Sequence, residues 1–339
     1  MTSTLHTTKK VLSIQSHVIH GYVGNKAATF PLQYRGWDVD VLNTVQFSNH
    51  PGYAHFTGFK CSTEELVEIV EKGLVGSLHI KYDAVLSGYL PNVQALQKMA
   101  GIVGRMCEED DNVKWVLDPV LGDNGKLYVE EQCVAVYQDI MHRSKIFLAT
   151  PNQFEMELLV GMSIRTLDDA KRGFEQFHEK FPRVTRVVVT SLELSDFSND
   201  NVYVVAGFDS SLSDEVFFYK IPKINATFSG SGDLISALLT DSLLNGHVPI
   251  QQPLSTSLGQ VLWLVTTILQ KTYELNVVDG DPHDQAIRIK DLKLIQCKEI
   301  LKQDLVPSIG KPETFKINNC VKGYTPSPLG HGCCRNRPK

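Results

Sequence analysis

The chain lacks most of the features that would confine it to a specialised class. Its seven cysteines (61, 107, 133, 297, 320, 333 and 334) are odd in number and include no Cys-x-x-Cys pair. That excludes a disulfide scaffold and a spaced structural zinc site, and it fits a reduced intracellular environment. No apolar run approaches membrane-spanning length, and residues 1–9 have no apolar core of a signal peptide. A cytoplasmic address without a membrane partner is expected, with the nucleus also open to the chain. A formal net charge of −5 gives no basic excess, which excludes a general nucleic-acid surface but not a local basic pocket. No Gly-Lys-Ser or Gly-Lys-Thr occurs, so there is no Walker A loop. Neither an internal repeat nor an interdomain linker is visible, and 339 residues can hold one large α/β domain or two ordinary ones.

What is present gathers around Ala226-Thr227-Phe228-Ser229-Gly230-Ser231-Gly232-Asp233. Apolar residues at 234, 235, 238, 239 and 243 recur at helical spacing, so a buried helix is expected from about residue 232. The glycines ahead of it let several N–H groups converge at the positive end of the helix. That suits a phosphate, or the charge that builds up in phosphoryl transfer. Asp233 in the first turn can accept a proton from an attacking hydroxyl. The plainer reading, with Ser231 or Asp233 merely capping the helix, is about as good for this stretch alone.

The rest of the chain reads as alternating strands and helices, the pattern of a mostly parallel α/β sheet. Strands are expected at Val11–Gln15, Val39–Leu42, Tyr82–Ser87, Lys114–Leu117, Ile146–Ala149 and Arg186–Ser191. Helices are expected over about 25–34, 62–72, 92–107, 131–141, 156–159, 167–180, 252–273 and 287–303. The stretch 201–222 alternates like antiparallel edge strands. Ligands of such sheets bind beyond the carboxyl ends of the strands. There the chain places Ser16, an aromatic and polar loop over 43–60, Gly88-Tyr89, Asp118 and Asp123, Thr150 to Glu155, and Thr190-Ser191. Asp118 and Asp123 can hold magnesium through water and substrate phosphate, or simply make turn hydrogen bonds. Asn152 with Glu155 is equally a capping box. From about residue 306 prolines break every period, and 306–339 reads as a disordered tail in which Cys333-Cys334 is inert.

Taken together, these strand-end loops resemble pyridoxal kinases of the ribokinase-like superfamily. The resemblance runs through Val11 to Val18, Gly21 to Gln33, Val45 to His50, Gly88-Tyr89, Asp118 to Asp123, Thr150 to Glu155 and the Gly-Ser-Gly-Asp turn. It implies a ribokinase-like three-layer α/β/α sandwich over 10–305, with a flexible arm over 1–9. It also implies ATP-dependent phosphorylation of the 5′-hydroxymethyl group of pyridoxal, pyridoxine and pyridoxamine. Carried over residue by residue, Ser16, Val23, Phe47, His50 and Tyr89 line the ring pocket. Asp118, Asp123, Asn152 and Glu155 surround metal and phosphates. Thr150 helps to hold a monovalent cation, and Thr190 and Ser191 approach the triphosphate. Asp233 is the base, with Gly230, Ser231 and Gly232 as the anion hole. The resemblance further implies magnesium (zinc serving in some members), activation by potassium, and a homodimer. Ser231 stands where the family commonly has Thr, and Pro51 where it often has a hydroxyl-bearing Thr. Pro51 keeps open a kinase for another hydroxymethyl heterocycle, such as a pyrimidine, and a catalytically silent paralogue is the reading from another class.

Overall fold

The computed structural model describes residues 8–244, 252–277, 287–302 and 307–317. The strands are β1 (Lys10–Val18), β2 (Asp38–Phe47), β3 (Gly58–Lys60), β4 (Ala84–Ser87), β5 (Lys114–Leu117), β6 (Gly122–Asp123), β7 (Lys126–Leu127), β8 (Leu148–Ala149), β9 (Arg186–Leu192), β10 (Val202–Asp209), β11 (Glu215–Pro222), β12 (Ala226–Phe228), β13 (Ile287–Ile289) and β14 (Glu313–Lys316). The α-helices are α1 (Asn25–Tyr34), α2 (Thr63–Val67), α3 (Val93–Glu109), α4 (Gln132–Arg143), α5 (Gln153–Val160), α6 (Leu167–Lys180), α7 (Ser231–Leu244), α8 (Leu254–Val277) and α9 (Lys298–Leu301).

A ten-stranded sheet in the order β14-β11-β10-β9-β8-β5-β4-β1-β2-β3 forms the middle layer. β2, β1, β4, β5, β8 and β9 run parallel, while β10, β11 and β14 at one side and β3 at the other pair antiparallel. One face of the sheet packs against residues of α3 to α6, including fully buried Tyr137, Phe174 and Phe177. The opposite face packs against α1, α7, α8 and α9. This is the expected three-layer sandwich. In α6 the buried residues Ala170, Gly173, Phe174 and Phe177 follow the helical period. Thr166 accepts from Asp169 N–H at its start, while Asp169 returns a bond to the cap, an arrangement that contributes about 1 kcal/mol. Helix α7 is buried from Leu234 through Asp241, as befits a helix with no polar face.

Four expectations need correction. β1 does not stop at Gln15; it carries Ser16 and His17 to Val18, because β2 takes an extra residue between Asn43 and Gln46 and so keeps pace with it. The 43–60 loop therefore shrinks to the turn between β2 and β3. Residues 287–303 are not one helix, since Ile287-Arg288-Ile289 pairs in parallel with β12 and only Lys298–Leu301 is α-helical. An available strand partner overrides local preference here. The 306–339 tail is in part ordered: Glu313–Lys316 completes the sheet edge on β11, Phe315 stands 6.0 Å from Phe218, and Ile317 is buried in the core. The helix expected over 62–72 also differs, continuing beyond α2 as wider π-helical turns from Glu68 to Ser77. The expectations for residues 1–7 of the arm and for Cys333-Cys334 lie outside the described residues.

Ile317→Ala tests the ordered end of the chain. The substitution should destabilise the protein by about 2–4 kcal/mol, as other buried Ile-to-Ala changes do, read as a lower urea midpoint. An unchanged midpoint would return this segment to the tail.

Candidate functional site at the carboxyl edge of the parallel strands

The site begins with a turn that only glycine can make. Gly230 has φ of 85°, and a Cβ there would lie 2.0 Å from the Tyr22 carbonyl oxygen. The turn therefore packs directly on the loop between β1 and α1. Beyond it, Gly232 opens the first turn of α7 with no atom within 4 Å of where its Cβ would be. The first N–H groups of a helix have no partner within it, and such a start with room beside it suits an anion. Asp233 follows. Its Oδ2 accepts the Gly24 N–H at 2.8 Å, and burial pushes its carboxyl up to about 6 against the downward pull of that bond. Ser16 joins the same place, its hydroxyl 2.3 Å from where a Gly24 Cβ would stand. Val23 Cα is 3.5 Å from the corresponding point on Gly230. Ser16, Val23, Gly24, Gly230 and Asp233 therefore come together although the chain separates them widely.

A buried polar chain lies alongside. Asp118, at the end of β5, accepts from Ser236 Oγ at 3.2 Å, and Ser236 Oγ is 2.9 Å from Thr150 Oγ1. Asp118 is held well above the usual carboxylate range, first by burial and then by the charges of Glu155 and Asp233, with the Ser236 bond opposing. Ser236 was not singled out in the sequence, where it looks like one more residue of an apolar helix; only its place one turn beyond Asp233 marks it. Ser236 gives its proton to Asp118, so the buried Thr150 hydroxyl donates to Ser236 and keeps its oxygen lone pairs.

Glu155 and Asn152 realise the capping box at the start of α5. Glu155 Oε1 accepts Leu121 N–H at 2.9 Å, and its Oε2 accepts Asn152 N–H at 2.9 Å. Asn152 Nδ2 in turn donates to the Gly122 carbonyl at 2.7 Å. Burial pushes Glu155 up to about 8 despite these backbone donors. Both carboxylate oxygens hold backbone, so Glu155 latches the Leu121–Gly122 segment rather than projecting a free ligand. Asp123 begins a hairpin, β6–β7, whose Asn124-Gly125 turn has φ of 50° and 75°. That is the type I′ geometry Asn-Gly favours, a signal local to the sequence. Asp123 is raised by desolvation, opposed by its Asn124 N–H bond.

The ring-pocket candidates stand on neighbouring strands. Phe47, at the end of β2, packs its ring 5.1 Å from Phe56. Tyr89 follows β4, and its carbonyl accepts Thr44 Oγ1 from the β2 bulge at 2.8 Å. His50 is buried, and both ring nitrogens are used by backbone: Nδ1 accepts Gly52 N–H at 3.1 Å, which leaves Nε2 to donate to the Lys290 carbonyl at 2.9 Å. Burial lowers its imidazole below the ordinary value, so His50 is a neutral clamp between this turn and β13. Pro51 is exposed at the tip of the same turn.

Thr190 and Ser191 lie in a bulge where β9 gains a residue on β10, between Val189 and Leu192. Thr190 N–H donates to the Pro151 carbonyl at 3.0 Å. Nearby, a cleft of about 400 Å³ opens between Pro222-Lys223-Ile224 and the Thr266, Thr267 and Gln270 face of α8. Lys223 Nζ is 3.3 Å from Glu193, just past Ser191, and lies 4.6 Å over the Tyr203 ring. No motif in the sequence points to this cleft. Among the described residues no group of three or more His, Cys, Asp and Glu side chains forms a ready metal cage, and no helix is long and apolar enough to cross a membrane.

Two glycine variants separate the turn from the anion site. Gly230→Ala forces a Cβ onto the Tyr22 carbonyl and should lower both stability and nucleotide affinity. Gly232→Ala has room and should hold or raise stability by about 0.5–1 kcal/mol, as Ala does for Gly in a helix. It should nevertheless weaken ADP binding by occupying the open space. Thermal melts and ADP titrations read both, and equal ADP affinity in Gly232→Ala and the parent would remove the anion from this turn.

A family model described as phosphomethylpyrimidine kinase matches residues 54–274. BUD17 of Saccharomyces cerevisiae, provisionally named a pyridoxal kinase, is 80% identical over 317 residues, covering 94% of this chain and 100% of the yeast protein. Human pyridoxal kinase is 41% identical over 241 residues, covering 68% of this chain and 76% of its own. The structure of Leishmania donovani pyridoxal kinase in complex with ADP and pyridoxine superposes with a TM-score of 0.75 at 29% identity, covering 90% of this chain and 99% of that one. Sequence, fold and strand-end geometry agree, and the chain belongs to the pyridoxal kinase family.

Proposed function

We propose that the protein phosphorylates the 5′-hydroxymethyl group of pyridoxal, pyridoxine and pyridoxamine with ATP, through one catalytic unit extending from about residue 10 to Ile317. The observation that carries this reading is Asp233, buried and raised to about 6, beside the open helix start at Gly232. In this reading the substrate hydroxyl oxygen attacks the γ-phosphorus, and its proton passes to the Asp233 carboxylate. The bond from phosphorus to the β,γ-bridging oxygen breaks, leaving ADP. Gly230, Ser231 and Gly232 supply donors to the phosphoryl oxygens, and Ser16, Val23, Phe47 and Tyr89 orient the ring. His50 acts by holding the turn that faces the ring. Asn152, Thr190 and Ser191 flank the triphosphate, and the cleft between Lys223 and α8 has the size and the apolar-polar mix suited to the base. Positioning and electrostatics suffice for this chemistry.

Magnesium suits this donor set. Asp118 is a buried carboxylate whose charge neither its surroundings nor Ser236 compensate, and Asp123 lies on the adjacent hairpin. Both would hold the ion, Glu155 reaching it only through water. Magnesium would neutralise charge on the ATP phosphates. Potassium would meet at Thr150 a hydroxyl oxygen whose proton is directed to Ser236. The homodimer belongs to this proposal on family grounds, and sedimentation reads it directly.

A second reading, phosphorylation of hydroxymethylpyrimidine, draws on the description of the matching family model and on Pro51. The named relatives favour the pyridoxal group. Release of ADP with pyridoxal, pyridoxine, pyridoxamine and hydroxymethylpyrimidine decides between them, and silence on all four with ATP bound would favour a silent paralogue. Asp233→Asn should cut turnover by about 100- to 10,000-fold, the usual range for a lost general base, while nucleotide still binds. A base raised to about 6 by burial keeps its proton below that pH. In the parent enzyme kcat/KM should therefore be level above about pH 7 and fall tenfold per unit below about pH 6. Activity undiminished at pH 5 would remove Asp233 from the role.

A further inference from the structure

The strand β13, read as helix in the sequence, brings a cation to the site. Arg288 stands level with Thr227 of β12, just ahead of the Gly230 turn. Ser229 N–H donates to the Ile289 carbonyl at 3.3 Å, which fastens β13 to that turn. The Arg288 side chain reaches the opposite wall. Its Nη2 lies 2.8 Å from where a Gly52 Cβ would stand, and the His50 Nδ1 lies 2.7 Å from the same point. The Arg288 charge also bears on the Tyr128 phenol beside the β6–β7 hairpin, where it opposes the upward influence of desolvation, Asp123 and Glu155. The guanidinium thus stands against the ring-facing turn, on a strand fastened to the phosphate turn, with its charge felt at the hairpin.

An exposed arginine is most often just a solvated surface charge. Arg288 departs from that reading through what it lacks as well as where it stands. Among the described residues it has no hydrogen bond or ion pair, although the neighbouring Asp291 is occupied by Tyr53 and His20. Lys223, across the site, is paired with Glu193. Phosphoryl transfer moves negative charge from the nucleotide side toward the substrate side, where Arg288 is the unpaired fork of donors. A guanidinium matches a phosphate monoester bidentately, which a point charge does not.

We infer that Arg288 binds the phosphate on the substrate side, receiving the transferred phosphoryl group and then holding the phosphorylated product. The assignment rests on the kinase reading above. It adds to that reading a residue that discriminates product from substrate.

The test uses pyridoxine and pyridoxine 5′-phosphate, alcohol forms that cannot react with lysines as an aldehyde would. Their binding to the parent protein, Arg288→Ala and Arg288→Lys is measured by titration with ADP present, beside turnover of pyridoxine and a thermal melt. Arg288→Ala should keep its melting temperature and its affinity for pyridoxine. It should bind pyridoxine 5′-phosphate about 10- to 100-fold more weakly, the scale of a lost charged hydrogen-bond pair, and its kcat should fall. Arg288→Lys should recover part of the product affinity, since it keeps the charge and loses the fork. A parent protein that turns over pyridoxine, with an Arg288→Ala variant equal to it in product affinity and kcat, overturns the assignment alone. Equal weakening toward pyridoxine and its phosphate also overturns it, by placing Arg288 at the ring. A parent protein that neither turns over pyridoxine nor binds its phosphate overturns the kinase reading together with it.

Discussion

The structure depends most on one hydrogen bond, from the Gly24 N–H to the Asp233 carboxylate. It joins the start of α1 to the start of α7 across most of the chain, and its neighbours explain why both helices run as they do. At the far ends of the same pair, Asp241 in α7 accepts from Trp37 Nε1 at 2.9 Å and pairs with Arg35, just past α1. Arg35 also donates to the Leu301 carbonyl of α9 at 2.8 Å. Asp241 is almost fully buried, so removing either partner would leave a charge uncompensated in the interior. Helix α7 is thus fixed at both ends against one short segment. A carboxylate in its first turn keeps its position without needing many bonds of its own.

Having few bonds leaves Asp233 free for the base role proposed above. Glu155, with backbone donors on both oxygens, is tied into the scaffold. Among the described residues Asp233 has one donor, and burial raises its proton affinity, which would suit a group that must take a proton and release it again. Asp118 stands between these cases, buried beside like charges with a single hydroxyl opposing them. Three carboxylates at one sheet edge therefore have three environments. They differ in how many N–H groups the polypeptide gives each: Glu155 takes several, Asp233 one, and Asp118 only a hydroxyl.

Much of this was legible in the sequence. α1 over 25–34 and α6 over 167–180 fall where periodicity put them, because their apolar stripes and polar starts are local properties. The glycine turn, Asp118, Thr150 and the Asn152–Glu155 box were visible as motifs, and the fold was visible as an alternation. What escaped was set by partners distant in the chain. β13 exists because β12 lies beside it, and β14 because β11 has an open edge. The partners of His50 and Glu155 escaped for a similar reason. Residue type suggests a ligand, but backbone groups brought near by the fold occupy their polar atoms. Ser236, Lys223 and Arg288 carry no local signal at all, since their meaning comes only from what they face.

The ends of the sheet carry a consequence of another kind. Its outermost strands are the three-residue β3 and the four-residue β14, whereas β11 inside β14 has eight residues rich in Val, Phe, Tyr and Ile. Long apolar edges recruit strands from other molecules. A short strand drawn from the far end of the chain closes half of β11 and replaces a sticky border with the charged ends Glu313 and Lys316. Until that last segment has been made and docked, a nascent chain would carry an amyloid-prone border, which makes the interval between synthesis of β11 and arrival of β14 the period when chaperone protection matters most.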